Sequence, residues 1–218
     1  MNISRTLHSL LVVSGLVLGT SLAVRADVDP YPGETPAAPV TSPEGLLGQK
    51  HATLTYSYVN LDDSSTHADD YRFASNIPLA FGLDGLLSYD YSRSGQMAGN
   101  RMTSHTFAAG LRAFSSQFNW GKPYLEAGGG FAQARFAGTK DDSVVWTVAG
   151  GVEFQLRPAT SLTPYIRYYD APDLAGSGTT TFGAKLNHWV NTQWAVTAGL
   201  DIDDDRNTTF TVGTNFRF

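Results

Sequence analysis

The 218-residue chain has no cysteine. A small core stapled by disulfides is thereby excluded, as are zinc sites built on thiolates. Long apolar runs are missing as well. Beyond residue 26 nothing approaches the roughly 20 consecutive apolar residues that a membrane-spanning helix needs. Charged residues are scarce, at 16% of the chain, and the formal net charge is −5. Such an acidic chain lacks the attraction on which nucleic-acid binding rests, which argues against a nucleic-acid partner. Phosphate loops are absent: "AGGGF" and "AGGVEF" carry neither GxGxxG spacing nor a Walker lysine, and their glycines fall inside alternating runs.

Residues 1–26 combine a basic start at Arg5, an apolar stretch from Leu10 to Leu18 and the small-residue site Val24-Arg25-Ala26. That order reads as a secretory signal peptide cleaved near Ala26, its apolar run too short to span a membrane. Loss of Arg5 and Arg25 makes the exported part more acidic still. Residues 27–49 follow, rich in proline and without hydrophobic period, and read as an extended linker with no core of its own.

From residue 50 to 218 the chain alternates apolar and polar residues at every second position, the signal for strands with two unlike faces. In "ATLTYSYV" Leu54, Tyr56 and Tyr58 oppose Thr53, Thr55 and Ser57. Tyr71, Phe73 and Ile77 oppose Arg72, Ala74 and Asn76, and the split recurs about ten times, with no helix among the runs. A soluble sandwich would place abundant Lys and Glu on its watery face. Here the polar face is mostly Thr, Ser and Gly, with one or two charges per strand: Arg72, Asp90, Arg112, Glu126, Glu153, Arg167, Lys185, Asp201 and Arg217. Ions of balanced sign on a small-residue face suit a narrow lumen, where each needs a partner because desolvation is costly. Inward glycines such as Gly110, Gly128 and Gly151 leave room for the long side chains. Segments of about ten residues, apolar outward and polar inward, are the signature of a transmembrane β-barrel.

Aromatic residues gather at the two ends of these runs. Tyr58, Tyr71, Tyr91, Trp146 and Tyr168 fall near one end, and Phe154, Trp194, Phe216 and Phe218 near the other, as interfacial belts require. The connections alternate too: "LDDSSTHADD", "SRSGQMAGNR", "GTKDDS", "DAPDLAGSG" and "DIDDDRN" are Asp-rich and longer than "AFGLDG", "SSQFNWG", "RPATS" and "HWVNTQ". Two residues fit less well. Pro164 removes a ladder donor inside a strand, and Phe136 has the wrong parity unless its strand has ended or bulged.

The alternating strands, "PYLEAGGGF", "GGVEFQL" followed by "TPYIRYYD", and the terminal "FTVGTNFRF" together resemble the small outer-membrane barrels of Gram-negative bacteria, the OmpA/OmpX-type surface-antigen and porin-like barrels. The resemblance covers residues 50–218. It implies an all-β, antiparallel up-and-down barrel in the cell outer membrane, with a periplasmic N-terminus and linker and extracellular loops. Its best-known members have eight strands, against the ten counted here. A last strand ending in Phe218 implies recognition by the barrel-assembly machinery, after escort by periplasmic chaperones. Lipid and lipopolysaccharide are the implied surroundings.

On function the residues leave a narrow porin-like channel, a closed structural or surface-interaction barrel, and a barrel enzyme acting on lipid A or peptides. The channel is the leading expectation. His67, His105 and several Asp residues lie toward the longer loops, yet no H-x-S arrangement occurs, so no catalytic residue is assigned and no enzyme is expected. The acidic loops miss the spacing of an EF-hand, and neither cofactor nor metal is called for.

Overall fold

The computed structural model describes residues 45–62, 66–96, 99–175 and 178–218. The signal-peptide reading of residues 1–26 and the linker reading through residue 44 lie outside the described residues.

Ten strands form in chain order: β1 (His51–Asn60), β2 (His67–Ala80), β3 (Leu83–Ser94), β4 (Thr103–Phe114), β5 (Lys122–Phe136), β6 (Thr139–Arg157), β7 (Thr160–Asp170), β8 (Thr179–Trp189), β9 (Trp194–Asp203) and β10 (Thr208–Arg217). Each pairs antiparallel with its neighbours in sequence, and β1 with β10 closes the barrel. The count is therefore ten rather than eight. Closure leaves no open edge in the sheet, so the backbone needs no water along the wall. One helical turn, α1 (Pro172–Ala175), interrupts the β7–β8 connection where sequence showed no helix.

Side-chain parity makes the barrel inside-out relative to a soluble one. Leu54, Phe73, Leu87, Phe107, Leu125, Val148, Ile166, Phe182, Val196 and Val212, one from each strand, point outward and are 47–71% exposed. A contiguous apolar band around a whole molecule far exceeds any patch that a water-soluble monomer carries. Hydrocarbon is the solvent that accepts it.

Local irregularities have local causes. The β5–β6 hairpin turns in two residues, Ala137 and Gly138, both with positive φ, the arrangement whose twist matches the flanking strands. Pairing between β6 and β7 skips Val152 and Glu153, opposite Thr163 and Pro164, and resumes at Phe154 and Leu162 without a change of register. The missing donor of Pro164 is thus absorbed by a gap in one ladder. Phe136 is a different matter. Strand β5 neither ends before it nor bulges; Phe136 points inward and packs on an apolar cluster inside the barrel. Its parity was right for a lumen residue, and the lumen there is apolar.

Candidate functional site

Among the described residues the buried polar and charged side chains gather in the lumen. Among the described residues the turns lie at two ends of the barrel, which we call the terminal end, where β1 starts and β10 finishes, and the loop end. Between them the interior falls into three layers.

The middle layer holds the charges. Arg112 on β4 faces Glu126 on β5 as a direct cross-strand pair, its Nε and Nη2 both donating to Glu126 Oε2 at 3.0 and 2.5 Å. Arg72 and Asp90 are also direct cross-strand partners, on β2 and β3, and form an ion pair at the longer distance of 3.7 Å. Tyr165 on β7 donates its hydroxyl to Asp201 Oδ1 at 2.5 Å. Its ring lies 5.4 Å from the Arg167 guanidinium and 5.0 Å from the Lys185 ammonium. Arg112 is likewise 5.2 Å from the ring of Tyr124. Aromatic faces therefore take up part of the positive charge that carboxylates leave uncompensated. Of the nine charged residues singled out in the sequence, eight are buried inside the barrel, none more than 5% exposed. Arg217 is the exception, half-buried at the terminal end with its guanidinium 6.0 Å from the Trp189 ring.

Glu153 belongs to the terminal layer and does something the sequence did not suggest. Its carboxylate accepts the backbone N–H of Leu46 at 2.7 Å and of Leu47 at 3.1 Å, and Ser161 Oγ at 3.2 Å. Trp189 Nε1 donates to the Gly45 carbonyl at 3.2 Å, and Gly48 N–H reaches Asp84 Oδ2 at 3.4 Å. Leu46 packs on Trp189 and Ala195, Leu47 on Tyr124 and Tyr165. Residues 45–49, read from sequence as the end of a linker, are thus seated in the terminal mouth. Gly45 has φ of +69°, and a Cβ there would run into the Glu153 carboxylate. Above the seat, Thr53 donates to Asn215, Asn215 to Thr197 and Thr197 to Asn187, a run of side-chain hydrogen bonds of 2.8, 2.7 and 2.5 Å linking β1, β10, β9 and β8.

The third layer, at the loop end, is apolar. Val59, Leu61, Ala68, Met102, Ala132, Val145 and Tyr169 form a buried cluster with Phe136 and Leu174 packed against it. Met102 comes from the β3–β4 connection, its N–H held by Ser94 Oγ at 2.9 Å.

Four buried His and Asp side chains of the lumen escaped the sequence reading: His51, Asp70, Asp84 and Asp203. Asp70, Asp84 and Asp203 sat in stretches taken for loops, and the strands run further than the acidic composition implied. Parity would have found them.

The aromatic residues expected as belts all lie on the outer face or at its margins. Tyr71 stacks on Tyr91 with centroids 6.3 Å apart, Trp146 meets Tyr168 at 5.1 Å and Trp194 meets Phe216 at 4.7 Å. Tyr58 stacks on His67 at 5.1 Å, and Phe154 lies 6.1 Å from Trp120. Phe218 is 57% exposed with the Lys50 ammonium 4.8 Å from its ring. His105 bonds Tyr89 through Nδ1 at 2.9 Å on the same outer face. The barrel wall separates both rim histidines from the lumen carboxylates. Among the described residues no cluster of His, Asp or Glu could hold a metal ion.

No protein-family model matches the chain, and no curated protein matches it. Solved structures of barrels do. Neisserial surface protein A is 15% identical with a TM-score of 0.44, covering 78% of this chain and 96% of that one. The attachment invasion locus protein of Yersinia pestis is 12% identical at a TM-score of 0.40, covering 78% and 98%. The KdgM porin in complex with disordered oligogalacturonate is 10% identical, also at 0.40, covering 76% and 99%. Similarity this loose says nothing of what the present chain binds or carries.

Proposed function

We propose that this protein is an integral barrel of the Gram-negative outer membrane with a closed lumen, a structural or surface-interaction barrel rather than a solute channel. The outward apolar band supports the membrane, and recognition of Phe218 by the assembly machinery of the outer membrane is part of this reading. In this reading the N-terminal segment is periplasmic and the longer, Asp-rich loops are extracellular.

The observation that carries the closed reading is the filling of the lumen at three levels. Leu46 and Leu47 occupy the terminal mouth, ion pairs and tyrosines the middle, and Met102 with its apolar neighbours the loop end. The three arginines of the middle layer, Arg72, Arg112 and Arg167, are 5%, 1% and 1% exposed. A conducting lumen would keep such groups wet. The leading expectation from sequence, a narrow porin-like channel, is therefore the weaker reading, and the closed barrel takes its place.

Conductance decides between them. Purified full-length protein refolded into planar bilayers is expected to stay silent while showing the heat-modifiable gel mobility of a folded barrel. Steady unitary steps would restore the channel. We read the protein as non-enzymatic, and turnover of lipid or peptide by the purified barrel would contradict that.

A further inference from the structure

Residues 45–49 cross the terminal mouth rather than lining it. They join the wall at β1, yet the carboxylate that holds them is on β6, five strands away whichever way the ring is followed. The contacts select a short sequence. Glu153 accepts two successive backbone N–H groups, those of Leu46 and Leu47, and Asp84 on β3 accepts a third from Gly48. Trp189 donates to the Gly45 carbonyl, Leu46 packs among Trp189, Ala195 and Ala159, and Leu47 lies against Tyr124 and Tyr165. Gly45 and Gly48 have φ of +69° and +79°, a conformation that glycine adopts without strain, and the Glu153 carboxylate stands where a Cβ at Gly45 would be.

Charge at the two carboxylates of this cradle is already met. The direct cross-strand partner of Glu153 is Lys122 on β5, and that of Asp84 is Arg112 on β4. A cationic or anionic ligand would upset that balance, because a buried ion without a partner of its own is costly. What the carboxylates take up besides is N–H donors, which a peptide backbone supplies without adding charge. An empty cradle would leave those acceptors and the Trp189 indole short of their bonds, so its chemistry calls for a neutral, apolar peptide led by glycine. Every contact named here is made by residues 45–48. The link to β1 through Gln49 and Lys50 contributes none of them.

We propose that the terminal mouth is a peptide-binding site, with residues 45–48 as its tethered occupant and an exposed Gly-Leu-Leu-Gly turn of a periplasmic protein as the ligand that exchanges with it. Tethering holds the resident segment at an effective concentration of about a millimolar or more. A dilute free peptide does not displace it. A partner docked against the terminal end, presenting its own turn at comparable local concentration, does. Exchange frees the chain ahead of β1 and leaves the wall and the other two layers as they are. The side of the membrane rests on the outer-membrane reading above; the chemistry of the cradle does not.

Gly45→Ala tests the site, because it strains the resident segment against Glu153 and alters no wall residue. The Leu46→Ala/Leu47→Ala double variant loosens the same segment by a second route. Full-length proteins refolded in detergent are titrated with a fluorescent, end-blocked Gly-Leu-Leu-Gly-Gln peptide and followed by anisotropy. Heat-modifiable mobility checks folding, and trypsin cutting after Lys50 reports release of the segment. Both variants are expected to expose Lys50 and to bind the peptide saturably, at least tenfold more tightly than wild type. Adding Glu153→Ala to either should abolish that gain, and a peptide with alanine in place of its first glycine should bind at least tenfold more weakly. Folded variants that expose Lys50 yet bind nothing, or that take both peptides alike as a micelle would, overturn the site. So does a Lys50 as protected in both variants as in wild type. Failure of both variants to fold would overturn exchange, since the mouth would then have no vacated state. A wild type without heat-modifiable mobility would overturn the barrel reading, and the site with it.

Discussion

Truncation of Glu126 to alanine should be among the costliest single changes in this barrel. Arg112 and Glu126 are 1% and 3% exposed at their side chains, on adjacent strands, with two guanidinium nitrogens on one carboxylate oxygen. Removing the carboxylate leaves a buried cation beside the Tyr124 ring and its cross-strand partner on β3, Asp84, whose carboxylate already accepts the Gly48 N–H, and stranding one member of a buried pair costs about 3–5 kcal/mol. Against a total of about 5–15 kcal/mol that is a large share. With a urea slope near 2 kcal/mol per molar, the unfolding midpoint should fall by about 1.5–2.5 M. Replacing both partners, as Arg112→Met with Glu126→Leu, should restore most of the loss, because the desolvation of two ions disappears along with their attraction. The assay is reversible urea unfolding in lipid vesicles, followed by the fluorescence of the chain's 4 tryptophans. A midpoint within about 0.5 M of wild type for Glu126→Ala would refute the reasoning. It would mean that water reaches Arg112 and that the lumen is not closed.

Other perturbations address the two ends. Glu153→Ala removes two charge-assisted hydrogen bonds from Leu46 and Leu47, each worth about 1.5–3 kcal/mol, so trypsin should cut after Lys50 more than tenfold faster while the barrel stays intact; an unchanged rate would show that the seat holds without its carboxylate. Deleting Phe218 should lower the amount of protein in the outer membrane and leave protease-sensitive chain in the periplasm, and normal surface levels would remove its role as an assembly signal. A cysteine at Asp205, exposed at the loop end, should react with an impermeant maleimide on intact cells, and one at Ser116, exposed at the terminal end, should not. The opposite pattern would invert the topology.

Most of the wall was legible in the sequence because a strand's period is so short. Every charged residue assigned to the lumen shares its parity with buried neighbours, and a slip of one residue would have turned Arg112 and Glu126 into the hydrocarbon. Strand ends were less legible. Asp70 and Asp203 lie in acidic stretches that read as loops, yet each continues the inward parity of its strand. Residues 45–49 were opaque for a different reason. "GLLGQ" has no period, and its position depends on Glu153, more than a hundred residues away, accepting two backbone N–H groups. The sealing of the loop end by Met102 and Phe136 is equally non-local. Whether a polar lumen is open or filled depends on side chains meeting across the barrel, and pattern along one strand carries no information about that.

The central claim is that one face of each strand lies in hydrocarbon and the other in a sealed interior, and adjacent residues on β6 test it most directly. Val148 is 47% exposed on the outer wall, and Thr147, beside it, is 3% exposed inside with its hydroxyl donating to the Tyr168 carbonyl at 3.0 Å. Single cysteines at these positions, labelled with a small environment-sensitive fluorophore before refolding into vesicles, can be challenged with lipids brominated near the bilayer centre. The account predicts strong quenching at 148 and little at 147. Equal quenching at both positions, or quenching at 147 alone, would contradict it.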